Sequence, residues 1–113
     1  MRIITDTLTR HELKQMASHL FGNMVKAVVD VERELLAADA ELHADLEALL
    51  LEDGSRQQSL WGINLYPELS GDELIGFDSM INMRPSQGNN SRSVENRELR
   101  EKITAIVAKK ITR

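Results

Sequence analysis

Val25-Lys26-Ala27-Val28-Val29-Asp30-Val31-Glu32-Arg33-Glu34-Leu35-Leu36-Ala37 is the stretch on which the fold turns. Its first half is rich in valine, whose branched side chain packs well on a pleated surface and is restricted in a helix. Side chains alternate across a strand, so Val25, Ala27, Val29 and Val31 share one face, and Lys26, Val28, Asp30 and Glu32 the other. The second half is ambiguous, because Glu, Leu, Arg and Ala favour helix. Read as strand, the stretch runs to about Ala37, turns at Ala38-Asp39 and returns through Glu41-Leu42-His43. A helix over 31–42 is the competing reading. The strand reading places an antiparallel hairpin at the centre of the chain.

Upstream, Thr9-Arg10-His11-Glu12 has the spacing of a capping box, in which hydroxyl and carboxylate each accept from the other residue's amide. Leu13, Met16, Ala17, Leu20 and Phe21 repeat at helical intervals, and Gly22 suits a left-handed stop. A helix over 10–21 follows. Downstream, Asp45 can cap a short helix over 46–52 that Gly54 closes. Ser55–Ser59 reads as a polar loop. Leu60–Tyr66 reads as a strand with Trp61, Ile63 and Leu65 on one face and Gly62, Asn64 and Tyr66 on the other, ended by Pro67. After a turn at Ser70-Gly71-Asp72, Ile75–Met83 reads as its hairpin partner. Ile75, Phe77, Ser79, Ile81 and Met83 take one face; Asp78, Met80, Asn82 and Arg84 take the other. Residues 84–93 are a polar loop. Ser93 or Asn96 then caps a last helix with Leu99, Ile103, Ile106, Val107 and Ile111 as its buried stripe. Lys109, Lys110 and Arg113 lie where the helix dipole favours cations.

The expected architecture is a single α+β domain over 1–113. An antiparallel four-stranded sheet of two hairpins carries the N- and C-terminal helices on one face, with a short helix between the hairpins. The chain has 113 residues, 42% hydrophobic and 28% charged, which is globular rather than disordered composition. It has no cysteine, so disulfides, thiol catalysis and cysteine-built zinc sites are excluded. No apolar run approaches the ~18 residues of a membrane-spanning helix, and Met1–Asp6 has no signal-peptide core. A cytoplasmic location is expected.

Charge is unevenly spread. Residues 1–83 hold 6 Lys+Arg against 15 Asp+Glu, and residues 84–113 hold 8 against 3. The net charge of −4 opposes nucleic acid as a partner. The basic C-terminal segment favours an anion or an acidic surface, unless it packs against the acidic region of the same chain.

Three places could carry chemistry. The loop 84–93 offers Arg84, Ser86, Gln87, Asn89 and Arg92 just before a helix N-terminus, a combination suited to an anion. It has one glycine, Gly88, and lacks the phosphate-loop pattern. The polar sheet face offers Asn64, Tyr66, Asp78 and Asn82 beside Arg84; the competing reading is a solvated face of cross-strand pairs. Finally, His43, Asp45 and Glu47 alternate. On an extended segment they would point the same way, as a divalent metal or acid–base chemistry needs. If Asp45 caps a helix, that alternation is lost.

The segments Val25–Glu32, Glu41–Asp45, Leu49–Ser55, Leu60–Pro67 and Phe77–Gly88 resemble a family of small uncharacterised bacterial and archaeal proteins known only as a domain of unknown function. The resemblance implies a complete small domain and carries no activity, cofactor or catalytic residue. The reading favoured by the residues is a binding or interaction module, expected to be a homodimer. Its loop 84–93 and adjacent sheet face would meet a small polar or anionic ligand or partner. A hydrolase-like enzyme around His43, Asp45 and Glu47 is the first alternative. An accessory protein of a toxin–antitoxin or mobile-element system is the second.

Overall fold

The computed structural model describes residues 1–112. In chain order the elements are β1 (Arg2–Ile4), β2 (Leu8–Thr9), α1 (Arg10–His19), β3 (Val25–Asp30), β4 (Leu35–Ala38), α2 (His43–Glu52), β5 (Leu60–Leu65), β6 (Ile75–Gly76), α3 (Arg97–Lys110) and β7 (Ile111–Thr112). Five strands form one antiparallel sheet in the order β1-β4-β3-β5-β6; β2 and β7 pair in parallel beside it. Arg113 lies outside the described residues.

The capping box of the first helix forms as read, whereas of the two caps open to the last helix only Asn96 serves, and Ile111 falls outside that helix in β7. Thr9 Oγ1 accepts from the Glu12 amide, and the Glu12 carboxylate accepts from the Thr9 amide, each at 3.1 Å. That pairing holds the Glu12 carboxyl below its usual range, the Thr9 amide being the first cause. Gly22 ends the first helix with φ +88°, its amide reaching the Ala17 carbonyl. Asn96 caps α3 through the Leu99 amide at 2.9 Å.

The sheet is apolar on both sides. One core gathers Val25, Ala27, Val29, Trp61, Ile63 and Leu65 against Leu13 and Ala17 of α1 and Ile103, Ile106 and Val107 of α3. The opposite face carries Val28, Ala37 and Leu60 under Leu46 and Leu50 of α2. The result is three layers, with α2 covering the face expected to be open and polar.

Three expectations are corrected. The central hairpin turns at Val31–Glu34, not at Ala38-Asp39. Asp30 is fully buried, and its Oδ1 accepts from the Glu32 and Arg33 amides at 2.9 Å each, which ends the strand seven residues before Ala37. Glu34 takes a left-handed φ of +56°, and β4 returns with Val29 opposite Leu36. Neither a strand at Glu41–His43 nor a helix over 31–42 forms.

Helix α2 starts at His43, not at residue 46. Its N-cap is Leu42, without a side-chain cap, and Asp45 lies in the first turn, where the dipole still favours its charge. Connecting β4 to β5, it crosses over β3, the strand that lies between them.

The strand expected over Ile75–Met83 shrinks to β6, and β1 joins the sheet at the other edge, so five strands replace four. Residues 77–93 leave the sheet edge and cross the α2 side through short 3-10 turns at Met80–Asn82 and Pro85–Gln87. Asn82, fully buried, takes the place of a strand partner: its Oδ1 accepts from the Gly62 amide at 2.8 Å and its Nδ2 donates to the Gly62 carbonyl at 2.9 Å. Gly62 has no room for a side chain, because a Cβ there would sit 2.6 Å from Ser79.

Candidate functional site

The loop 84–93 is built as a clamp. Arg84 donates to the Ile81 carbonyl at 2.9 Å, to the Gln57 carbonyl at 2.9 Å and to the Leu60 carbonyl. Its guanidinium stacks 4.5 Å from the Trp61 ring centroid and lies 3.9 Å from the Glu47 carboxylate. The side chain is 10% exposed, and burial lowers its pKa while Glu47 acts the other way. Gln87 donates to the Gln58 carbonyl at 3.1 Å. Asn89 is buried, donates to the carbonyls of Asn82, Ser91 and Ser93, and accepts from the Glu95 amide. Arg84, Gln87 and Asn89, expected to meet an anion, therefore meet the chain's own carbonyls, Arg92 meets the Asp78 carboxylate, and Ser86 is exposed.

His43, Asp45 and Glu47 do not come together. They lie on a helix, where residues two apart point in different directions. Glu47 faces Arg84, and among the described residues no three His, Asp or Glu side chains are placed to hold a metal ion. The alternation argument fails because α2 begins three residues earlier than expected.

The polar sheet face does contain a cavity, of about 330 Å³, between the first turn of α2 and the crossing segment. Asn64, Tyr66, Asp78, Arg92 and His43 all line it, so side chains drawn from all three sequence candidates meet at one place. Asn82 does not line it; its Nδ2 donates to the carbonyl of the lining residue Arg92 at 3.0 Å. Lys26 also lines it and was not singled out from the sequence. The signal was present: Lys26 alternates to the polar face of β3, and it pairs directly opposite Asn64 of β5. What was missing was the pairing of those two strands. Met24, Leu42, Met80 and Ile81 supply apolar walls.

The electrostatics of the cavity follow from these contacts. Arg92 forms a two-point ion pair with Asp78, 2.9 Å at Nε and 3.3 Å at Nη2. Lys26 forms no ion pair among the described residues, and its ammonium lies 5.0 Å from the Phe21 ring centroid. One positive charge is left over. The His43 ring is 2.8 Å from the Ile63 carbonyl through Nε2. Burial is the main cause that lowers its pKa, and Lys26 adds to it; the Ile63 carbonyl, Asn64 and Asp78 oppose it. The imidazole is therefore held in its neutral form at pH 7.

A family model matches residues 2–110 of the chain, under the description protein of unknown function (DUF5674). The chain belongs to that family. No curated protein and no solved structure matches it. Membership bears out the resemblance to a domain of unknown function, and the family description names neither an activity nor a source organism. No helix of the described residues is long and apolar enough to cross a membrane.

Proposed function

We propose that this chain is a small cytoplasmic binding module whose cavity beside the α2 N-terminus takes a small ligand bearing an anionic group. One observation carries the reading. Lys26, unpaired among the described residues, and the Arg92–Asp78 pair meet His43, Asn64 and Tyr66 around one cavity with apolar walls. A concave site with a few converging polar groups is the usual form of a ligand pocket. The first turn of α2 adds backbone amides with no side-chain cap, which favours negative charge there. A homodimer is part of the proposal, with a second copy pairing along β1, an edge strand of the sheet.

The basic C-terminal segment gives little support to the nucleic-acid alternative. Arg84, Arg92, Arg97, Lys109 and Lys110 all engage acceptors of the same chain. The test of the binding reading is titration of ¹⁵N-labelled protein with 3-phenylpropionate. Shifts of the His43 and Ala44 amides at millimolar ligand support it. Unmoved pocket amides, or shifts confined to another surface, overturn it.

A further inference from the structure

The polar floor of the cavity has a hydrogen-bond polarity set by the protein's own contacts. His43 Nε2 faces the Ile63 carbonyl at 2.8 Å. A carbonyl can only accept, so Nε2 carries the proton, and Nδ1 of the neutral ring is a lone-pair acceptor. Asn64 is oriented by the same logic. Its Nδ2 donates to the Asp78 carbonyl at 2.9 Å, which makes the other end, Oδ1, an acceptor. Asn64 Oδ1 is buried and accepts no hydrogen bond of normal geometry, although Asn64 lies close enough to the His43 ring to favour its protonated form, and His43 Nδ1 makes no hydrogen bond among the described residues. The two residues are 6% and 8% exposed, respectively. A buried acceptor without a donor costs free energy, and an unpaired ring nitrogen at the edge of a cavity is open to a donor that enters it. The mouth has the opposite character, with the Lys26 ammonium and the Arg92 guanidinium.

We propose that the ligand is a small organic acid that also carries a hydroxyl or N–H donor: the donor lies against His43 Nδ1, the acidic group against Lys26 and the first turn of α2, and the carbon body against Met24, Leu42 and Met80. This assignment rests on the binding reading above and names its ligand class. An inorganic anion without a proton to donate would satisfy the mouth and leave His43 Nδ1 without a donor. A simple carboxylate would fill the apolar walls and still leave His43 Nδ1 without a donor. An acid with a donor on its chain satisfies all three zones.

The test compares 3-phenyllactate with 3-phenylpropionate, which share ring, chain and carboxylate and differ by one hydroxyl. The uncharged 3-phenyllactamide is the third probe. Phenyllactate is expected to bind about tenfold more tightly than phenylpropionate, the worth of roughly one net hydrogen bond. It is also expected to move the ¹⁵N resonance of His43 Nδ1, which phenylpropionate leaves in place. Phenyllactamide is expected to bind more weakly than phenyllactate, because it lacks the charge that Lys26 meets. Equal affinities with an unmoved Nδ1 overturn the donor assignment and leave the binding reading standing. Phenyllactamide binding as tightly as phenyllactate overturns the acid assignment. Pocket amides that respond to none of the three overturn both readings. His43→Phe should abolish the preference for the hydroxyl; the wild-type imidazole spectrum reads the same contact, so a variant that fails to fold does not shelter the proposal.

Discussion

Asn82 and Asn64 are both buried asparagines on the α2 side of the sheet, and they have opposite fates. Asn82 spends its whole amide on the chain, pairing with both polar groups of Gly62 and donating also to the Phe77 and Arg92 carbonyls. Asn64 spends half, leaving Oδ1 without a donor. The same division separates Arg84, pinned among carbonyls, Trp61 and Glu47, from Lys26, which pairs with no acid among the described residues. A buried polar group that the chain satisfies is part of the scaffold. One that the chain leaves unsatisfied beside a cavity is available to a ligand.

The comparison breaks most visibly at Asn82. Asn82→Ala removes the surrogate strand partner and strands two polar groups of Gly62 in the interior, so a loss of about 3 kcal/mol is expected by urea denaturation. A loss within experimental error would remove Asn82 from the scaffold side. Arg84→Lys should cost about 2 kcal/mol, because an ammonium cannot serve three carbonyls and stack on Trp61 at once. Binding of phenyllactate should survive that change; if it fell in parallel with stability, the clamp and the pocket would not be separate regions.

Lys26→Met sharpens the other side. It should weaken phenyllactate about tenfold while changing stability by less than about 0.5 kcal/mol, since the side chain is half-buried and unpaired among the described residues. A stability loss larger than the binding loss would reassign Lys26 to structure. The smallest effect concerns pH. His43 has a folded pKa below its ordinary 6.5, with burial as the first cause. The unfolded chain therefore takes up the proton first as pH falls, and stability declines from about pH 6.5 downward until the folded pKa is passed. Chemical denaturation at several pH values should show this decline in wild type and less of it in His43→Gln. An identical slope in both would separate His43 from the effect.

Much of the frame was legible because it is written in near neighbours. Thr9 and Glu12 are three residues apart, as are Asn96 and Leu99, and both caps form as their spacing implies. The alternation of Val25, Ala27 and Val29 named the face on which α1 and α3 pack. The site was legible in its parts: Asn64, Tyr66, Asp78, Arg92 and His43 were all singled out, for three different reasons, and they line one cavity. The reasons misled where a helix stood in for a strand, as with Asp45 and Glu47, and where a donor was already spent, as with Arg84.

Taken by itself, the sequence determined the residue chemistry, the outer helices with their caps, and which positions of β3 and β5 face the apolar core. Only the tertiary structure decided where the central hairpin turns, how 77–93 runs, and which polar groups are left over. The physical reason is range. A cap or an alternation involves residues within a few positions of one another. The Asn82–Gly62 and His43–Ile63 contacts each join groups 20 residues apart. Whether a buried amide or imidazole is satisfied depends on such partners, which exist only once β3 and β5 have paired and α2 has crossed over them.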